Sequence, residues 1–355
     1  MKTRVLTVDP EHPTPEALAE AGHILRAGGL VAFPTETVYG LGANALDADA
    51  LGRIYAAKER PANDPIIAHI ARIEQLDQLA RDIPPAARAL AEAFWPGALT
   101  LVLKRAPGVP DTIAAGRDTV AVRMPAHPLA RALLQAVDLP IGAPSANTFT
   151  RPSATTAAHV LEDLDGRIDL VLDGGPTPIG VESTVLDLTG PAPVVLRPGG
   201  VTLEDLQAVL PETTLAPRYL AEDAGTDAPG QLLKHYSPRA RVLLFTGSRA
   251  ATLTRMQEEV QRLAAQRLAV GLLLAAEDAE AFAEQGLTNR AAVEVLGGED
   301  DHAAISRRLF EALRALDRRG MDTILVRDFG REGLGAALWD RLLRAAEGRV
   351  VDVDR

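Results

Sequence analysis

The sequence predicts a mixed α+β domain over residues 1–210 and a smaller Rossmann-like α/β domain over residues 239–355, joined by a linker or lid at 211–238. Three observations carry that reading. Apolar runs alternate with helical periodicity in the first part, yet several strands there follow one another with no helix between, which favours a mixed twisted sheet over a doubly wound one. Periodicity then fails between Pro211 and Pro238, a stretch holding Pro217, Gly225, Pro229 and Gly230. Beyond it strands and helices alternate regularly, as in Rossmann-like or flavodoxin-like folds.

The elements follow in order. Thr14 precedes Pro15 and Glu16, a capping residue followed by the residue favoured at the first helical position, and Gly28-Gly29 stop that helix. Leu30 to Phe33 reads as a short buried strand, and residues 48–58 and 84–94 as helices. A Pro-constrained loop runs from Pro61 into a buried strand carrying His69. Leu99 to Leu103, Thr119 to Met124, Leu170 to Leu172, Ser183 to Leu188 and Val194 to Leu196 read as strands. In the second domain the strands are 241–246, 268–274 and 323–327, and the helices 249–265, 277–285, 301–318 and 333–346. That domain has no GxGxxG turn, so no dinucleotide is assigned to it.

Composition narrows the function. At 355 residues the chain suits two domains, and 47% hydrophobic with 24% charged residues is ordinary for a globular protein. Aromatics at 4% make the cores aliphatic and weigh against a base-stacking surface. A net charge of −11 weighs against broad nucleic-acid binding. The absence of cysteine excludes disulfides and thiolate chemistry. MKTRVLTVDPEHP lacks the apolar core of a signal peptide, and the run from Leu268 to Ala276 is too short to span a bilayer. The expectation is a cytoplasmic protein.

Several segments carry candidate chemistry. Lys58 and Arg60, at the exposed end of a helix, make a Pro-stiffened cationic fork suited to polyphosphate; a pair of solvated helix-end cations is the plainer alternative. Ser145 and Asn147 follow a buried strand and present small hydrogen-bonding groups, or serve as turn residues. FPTETVYGLG, residues 33–42, crowds polar groups at a strand's end, where ligands often bind; a strand-to-helix turn using Gly40 and Gly42 is the alternative. His69 in an apolar strand is a core histidine or a ligand residue. Arg123 needs a partner if buried, either a protein Asp or a ligand carboxylate. Ser153, Ser183 and Arg197 sit at turns beside strands. No P-loop, GxSxG element or metal-ligand spacing occurs.

FPTETVYGLG, KERPANDPIIAHI, AVRMP, APSAN, ESTVLDL, LRPGG and HYSP occur in an order that resembles the two-domain threonylcarbamoyl-AMP synthases, with a YrdC-like catalytic domain and a smaller C-terminal one. The resemblance covers essentially the whole chain. It implies that L-threonine, bicarbonate and ATP become threonylcarbamoyl-adenylate and pyrophosphate, with Mg²⁺ carried on ATP, and that the product passes to a machinery modifying tRNA. It implies KxR and SxN pairs at the catalytic centre, here Lys58, Arg60, Ser145 and Asn147. Thr37, His69, Arg123, Ala143 and Ser183 then match threonine-side residues. Arg60, Asp64, Thr119, Ser145, Ser153 and Arg197 match nucleotide-side ones, and Tyr236 a linker residue closing over the nucleotide. Asn63 shares the ATP-side loop with Asp64. An RNA-binding module and a carbamoyl-transfer paralogue of the same fold are the competing readings; no strong direct nucleic-acid binding and no membrane association are expected.

Overall fold

The computed structural model describes residues 2–216 and 235–354; of the expected linker, residues 217–234 lie outside the described residues. Among the described residues, 2–149 and 153–216 form one compact unit, and 150–152 with 235–354 form a second.

The first unit is built on one mixed sheet of eleven strands. From edge to edge these are Arg4–Thr7, Leu170–Asp173, Val31–Pro34, Tyr39–Asn44, Ile141–Gly142, Ile67–His69, Thr119–Arg123, Leu99–Lys104, Thr184–Asp187, Val194–Arg197 and Thr214–Leu215. Parallel and antiparallel pairs both occur: Ile67–His69 runs parallel to Thr119–Arg123, and Leu99–Lys104 antiparallel to it. The strands at 4–7 and 39–44 and the helices Pro128–Val137, Ala157–Leu164 and Leu203–Val209 were not foreseen from sequence. The 39–44 strand corrects the turn reading of Gly40 and Gly42. FPTETVYGLG is a strand, a four-residue turn and a second strand antiparallel to the first. A Cβ on Gly42 would lie 2.8 Å from the Phe33 ring and 2.9 Å from Ile141, so close sheet packing demands glycine there.

Local chemistry explains the helix that carries Lys58. Asp47 caps Ala48–Lys58 by accepting from the amides of Asp49 and Ala50, and Glu59 ends it in the left-handed region at φ 56°. Ala50, Leu51, Ile54 and Tyr55 bury one face against the aliphatic core that also holds Leu99, Leu101 and Val122.

The second unit has five parallel strands in the order Ala292–Val295, Val270–Leu274, Thr323–Arg327, Arg241–Thr246, Val350–Asp352. Counted along the chain this order is 3-2-4-1-5, a parallel α/β sheet that departs from the 3-2-1-4-5 dinucleotide arrangement. At the carboxyl ends of its strands, Arg327 pairs with Asp278 at 2.6 Å and with Glu299 at 2.9 Å, so an ion-pair network crosses the place where such folds often bind ligands.

Candidate active site

Residues directly opposite in neighbouring strands share a face of the sheet. His69 lies opposite Arg123, Arg123 opposite Thr100, Thr100 opposite Val185, and Val185 opposite Arg197. Alternation along Thr119–Arg123 puts Thr119 and Ala121 on that same face. Ile67, Val102, Ala121 and Val185 form a small apolar floor between these polar groups, while Ala68, Val122, Leu101 and Leu186 point into the main core. One face of five adjacent strands therefore gathers His69, Arg123, Thr119 and Arg197.

Arg123, 3% exposed, is held on three sides. Its Nε donates to the Gly97 carbonyl at 3.1 Å and its Nη1 to Thr37 Oγ1 at 2.9 Å. Its Nη2 lies 2.6 Å from the Glu36 carboxylate, so the protein partner is a glutamate rather than the expected aspartate. Burial alone would raise the Glu36 carboxyl, but the charge and hydrogen bond of Arg123, with the Glu36 and Ala126 amides, together outweigh it and hold the group below the usual carboxylate range. The threonine turn fixes the direction of its hydrogen bonds. Thr35 gives its only hydroxyl proton to the Val38 carbonyl at 2.7 Å, so at the 2.8 Å contact Thr37 donates to Thr35. Thr37 then accepts from Arg123.

His69 is buried, with Nδ1 3.2 Å from the Ile67 carbonyl, which assigns the proton to Nδ1. Burial, with the nearby Arg123 charge, pushes it down to about 3 and keeps the ring neutral. Ala143 is anchored through its amide to Ile67 at 2.9 Å, at the next strand.

Ser183 joins this row through Thr100, whose hydroxyl is 2.8 Å from Ser183 Oγ. Arg197 Nη2 donates to the Ser183 carbonyl at 2.9 Å and to its hydroxyl at 3.2 Å. Gly199 makes this possible. A Cβ there would fall 2.3 Å from the Glu182 carbonyl and 2.4 Å from the Thr184 amide nitrogen, so only glycine lets the two backbones touch. Ser153, fully buried, donates to the Glu182 carboxylate.

The KxR and SxN segments meet, although not as a surface fork. Lys58 is 1% exposed and Arg60 7%, which corrects the expectation of an exposed helix end. Lys58 Nζ donates to the carbonyls of Ser145 and Asn147, each at 2.5 Å. Burial and the neighbouring Arg60 pull it well below the usual lysine range; a neutral amine still carries the two protons these bonds need. Arg60 turns to its own loop, donating to the Asp64 and Pro65 carbonyls at 3.2 and 2.7 Å and pairing with the Asp64 carboxylate at 2.9 Å. Asp64 is buried, whereas neighbouring Asn63 is exposed. On the other side of the SxN segment, Ala146 donates to the Tyr39 carbonyl at 2.8 Å, and Ser145 bridges Gly40.

Tyr236 is the candidate residue that lies in the second unit. It is 1% exposed, its ring 5.4 Å from that of Phe310 and 5.0 Å from the Arg341 guanidinium.

A family model described as telomere recombination matches residues 23–199, and one described as threonylcarbamoyl-AMP synthase, C-terminal domain, matches residues 201–347. The threonylcarbamoyl-AMP synthase of Pyrococcus abyssi is 46% identical over 94% of this chain and 95% of its own. The chain belongs to the threonylcarbamoyl-AMP synthase family. The threonylcarbamoyl-AMP synthase of Bacillus subtilis is 43% identical over 94% of both chains. A solved structure of P. abyssi Sua5 complexed with L-threonine superposes with a TM-score of 0.91 at 44% identity, covering 99% of this chain and 100% of that one. No helix among the described residues is long and apolar enough to cross a membrane. From the sequence, Thr35 and Glu36 stood out only as members of the polar 33–42 segment, with no role assigned, and Thr100 and Glu182 were not candidates. Thr100 had a usable signal, a lone hydroxyl in an otherwise apolar strand facing Arg123.

Proposed function

We propose that this sheet face joins L-threonine, bicarbonate and ATP into threonylcarbamoyl-adenylate with release of pyrophosphate. The observation that supports it most is the single row from His69 through Arg123 and Thr100 to Ser183 and Arg197: two buried guanidiniums on one sheet face, Arg197 bonded to Ser183, Ser183 to Thr100, and Thr100 directly opposite Arg123. In this reading Arg123 receives the threonine carboxylate. Nη1 spends one of its two N–H groups on Thr37, which leaves a donor in a side chain already oriented. Neutral His69, Ala143 and Ser183 border the same substrate.

The nucleotide lies toward Arg60, Asp64, Thr119, Ser145, Ser153 and Arg197. Arg60 engages its own loop through Nε and Nη2, leaving Nη1 for a phosphate oxygen. The threonine amine, once its ammonium has given up a proton, attacks bicarbonate carbon to give carbamate and water; a carbamate oxygen then attacks the α-phosphorus, and pyrophosphate departs. Held cations stabilise the charge that develops there, and Lys58 fixes the backbone that presents Ser145. The described residues hold no cluster of three His, Asp or Glu, so a protein-built magnesium cage does not fit. Mg²⁺ would come with ATP and would supply charge stabilisation at its phosphates rather than sit in a site built from protein carboxylates. The product passes to an enzyme system that transfers the threonylcarbamoyl group to tRNA. Pyrophosphate release that depends on both L-threonine and bicarbonate is the expected result; equal turnover with threonine omitted overturns the assignment.

A further inference from the structure

We propose that Glu36 is a specificity residue of the threonine pocket: its carboxylate offsets the Arg123 guanidinium, so the pocket accepts an amino acid as a zwitterion and rejects a carboxylate that lacks an ammonium. The inference rests on the reading of Arg123 as the carboxylate-binding residue.

Glu36 sits in the turn between Thr35 and Thr37 at 7% exposure, with its Oε1 2.6 Å from Arg123 Nη2. Arg123 takes up Oε1 on one side only, and the backbone amides of Glu36 and Ala126 lie close enough to favour the charged form, which leaves acceptor capacity on the carboxylate. Backbone bonds hold the turn in place: Ile179 donates to the Glu36 carbonyl at 2.9 Å and Gly180 to the Thr37 carbonyl at 3.1 Å.

The charge count then decides what binds. His69 is neutral, and burial also lowers His127, the other titratable ring facing Glu36. This end of the pocket therefore holds one positive and one negative side chain, both nine-tenths buried or more. A bare carboxylate leaves one uncompensated negative charge where water does not screen it, which is costly. A zwitterion adds no net charge. Its carboxylate takes the open Arg123 donor, and its ammonium finds the Glu36 oxygens as acceptors. An arginine without the glutamate, by contrast, binds any small carboxylate.

The test is calorimetric titration of the full chain, without ATP, using L-threonine and the hydroxy acid in which a hydroxyl replaces threonine's amine. Wild type is expected to bind threonine at least about tenfold more tightly than the hydroxy acid. In Glu36→Gln threonine weakens by about tenfold or more, and the two ligands come within about threefold of each other. Glu36→Asp, which keeps the charge, retains the preference. Equal binding of the two ligands by wild type overturns the proposal without any variant. So does a Glu36→Gln protein that weakens both ligands alike, since Glu36 then only steadies Arg123. Wild type that binds neither ligand removes the threonine reading of this face as well.

Discussion

The Lys58 side chain donates to the Asn147 carbonyl at 2.5 Å, and that bond ties together the two segments whose chemistry stood out in the sequence. Lys58 is a buried brace, and burial disfavours its charged form. Its removal takes a donor from the buried Asn147 carbonyl and one of two from the part-buried Ser145 carbonyl, which keeps the Asn147 amide at 3.1 Å.

Lys58→Ala is therefore expected to destabilise the first unit by roughly 2 kcal/mol, the cost of two lost hydrogen bonds to carbonyls of which only that of Asn147 is fully buried, as well as abolishing most activity. Urea unfolding checks this. An unchanged midpoint together with lost activity shows a lysine that spends its charge on ligand alone.

Arg123→Lys separates the two substrates. The three anchors of Arg123, at Gly97, Thr37 and Glu36, need a fork that an ammonium lacks. The KM for threonine is expected to rise by ~10-fold or more while that for ATP moves little. A larger effect on ATP places Arg123 on the wrong substrate.

What sequence revealed and what it hid follow from range of interaction. The helix at Ala48–Lys58 was legible because its cap, periodicity and stop are local. The strand at Arg4–Thr7 was not: RVLT is short and exposed at every second position or more, and it is a strand only because it pairs with Leu170–Asp173, over 160 residues away. The helix at Pro128–Val137 was missed despite a clear apolar stripe of Leu129, Leu133, Leu134 and Val137, next to the motif-bearing strand that drew attention. Among site residues, Arg123 was legible because a buried charge demands a partner. Its partner was not: Glu36 stood out within a polar turn, but nothing local says that the turn folds onto the Arg123 strand. Lys58 was misread as exposed because nothing local announces that a distant loop closes over it.

Gly199→Ala tests how Arg197 is delivered. The added methyl carbon meets backbone atoms of residues 182–184 at 2.3–2.4 Å, and backbone cannot rotate away as a side-chain tip does. The strand pairing must open there, which withdraws Arg197 from Ser183. The expected outcome is a soluble second unit, a first unit with a lower unfolding midpoint, and a KM for ATP raised more than that for threonine. Normal stability and kinetics show that the two backbones separate without consequence.

His69 gives the fold a pH dependence whose sign is fixed by its burial. The folded chain holds this ring neutral with its pKa near 3, whereas an unfolded chain protonates it near the ordinary value of 6.5. Between those values the unfolded state binds the additional proton, so stability rises with pH across the window and is fully present above it. Lowering the pH from 6.5 to 5 is expected to cost the first unit about 2 kcal/mol through this one ring, at about 1.4 kcal/mol per pH unit. His127 is shifted in the same direction, so the wild-type slope alone does not isolate His69. The difference between wild type and His69→Gln does, because every other group is common to both. Trp95 lies in the first unit and Trp339 in the second, so urea unfolding followed by fluorescence in a Trp339→Phe background reports the relevant unit. His69→Gln lowers stability at pH 7 through lost packing, but its slope between pH 6.5 and 5 is expected to be shallower than wild type by close to one proton. Parallel slopes in the two proteins show a ring that takes up its proton while folded, and with that the neutral His69 of the threonine pocket is lost.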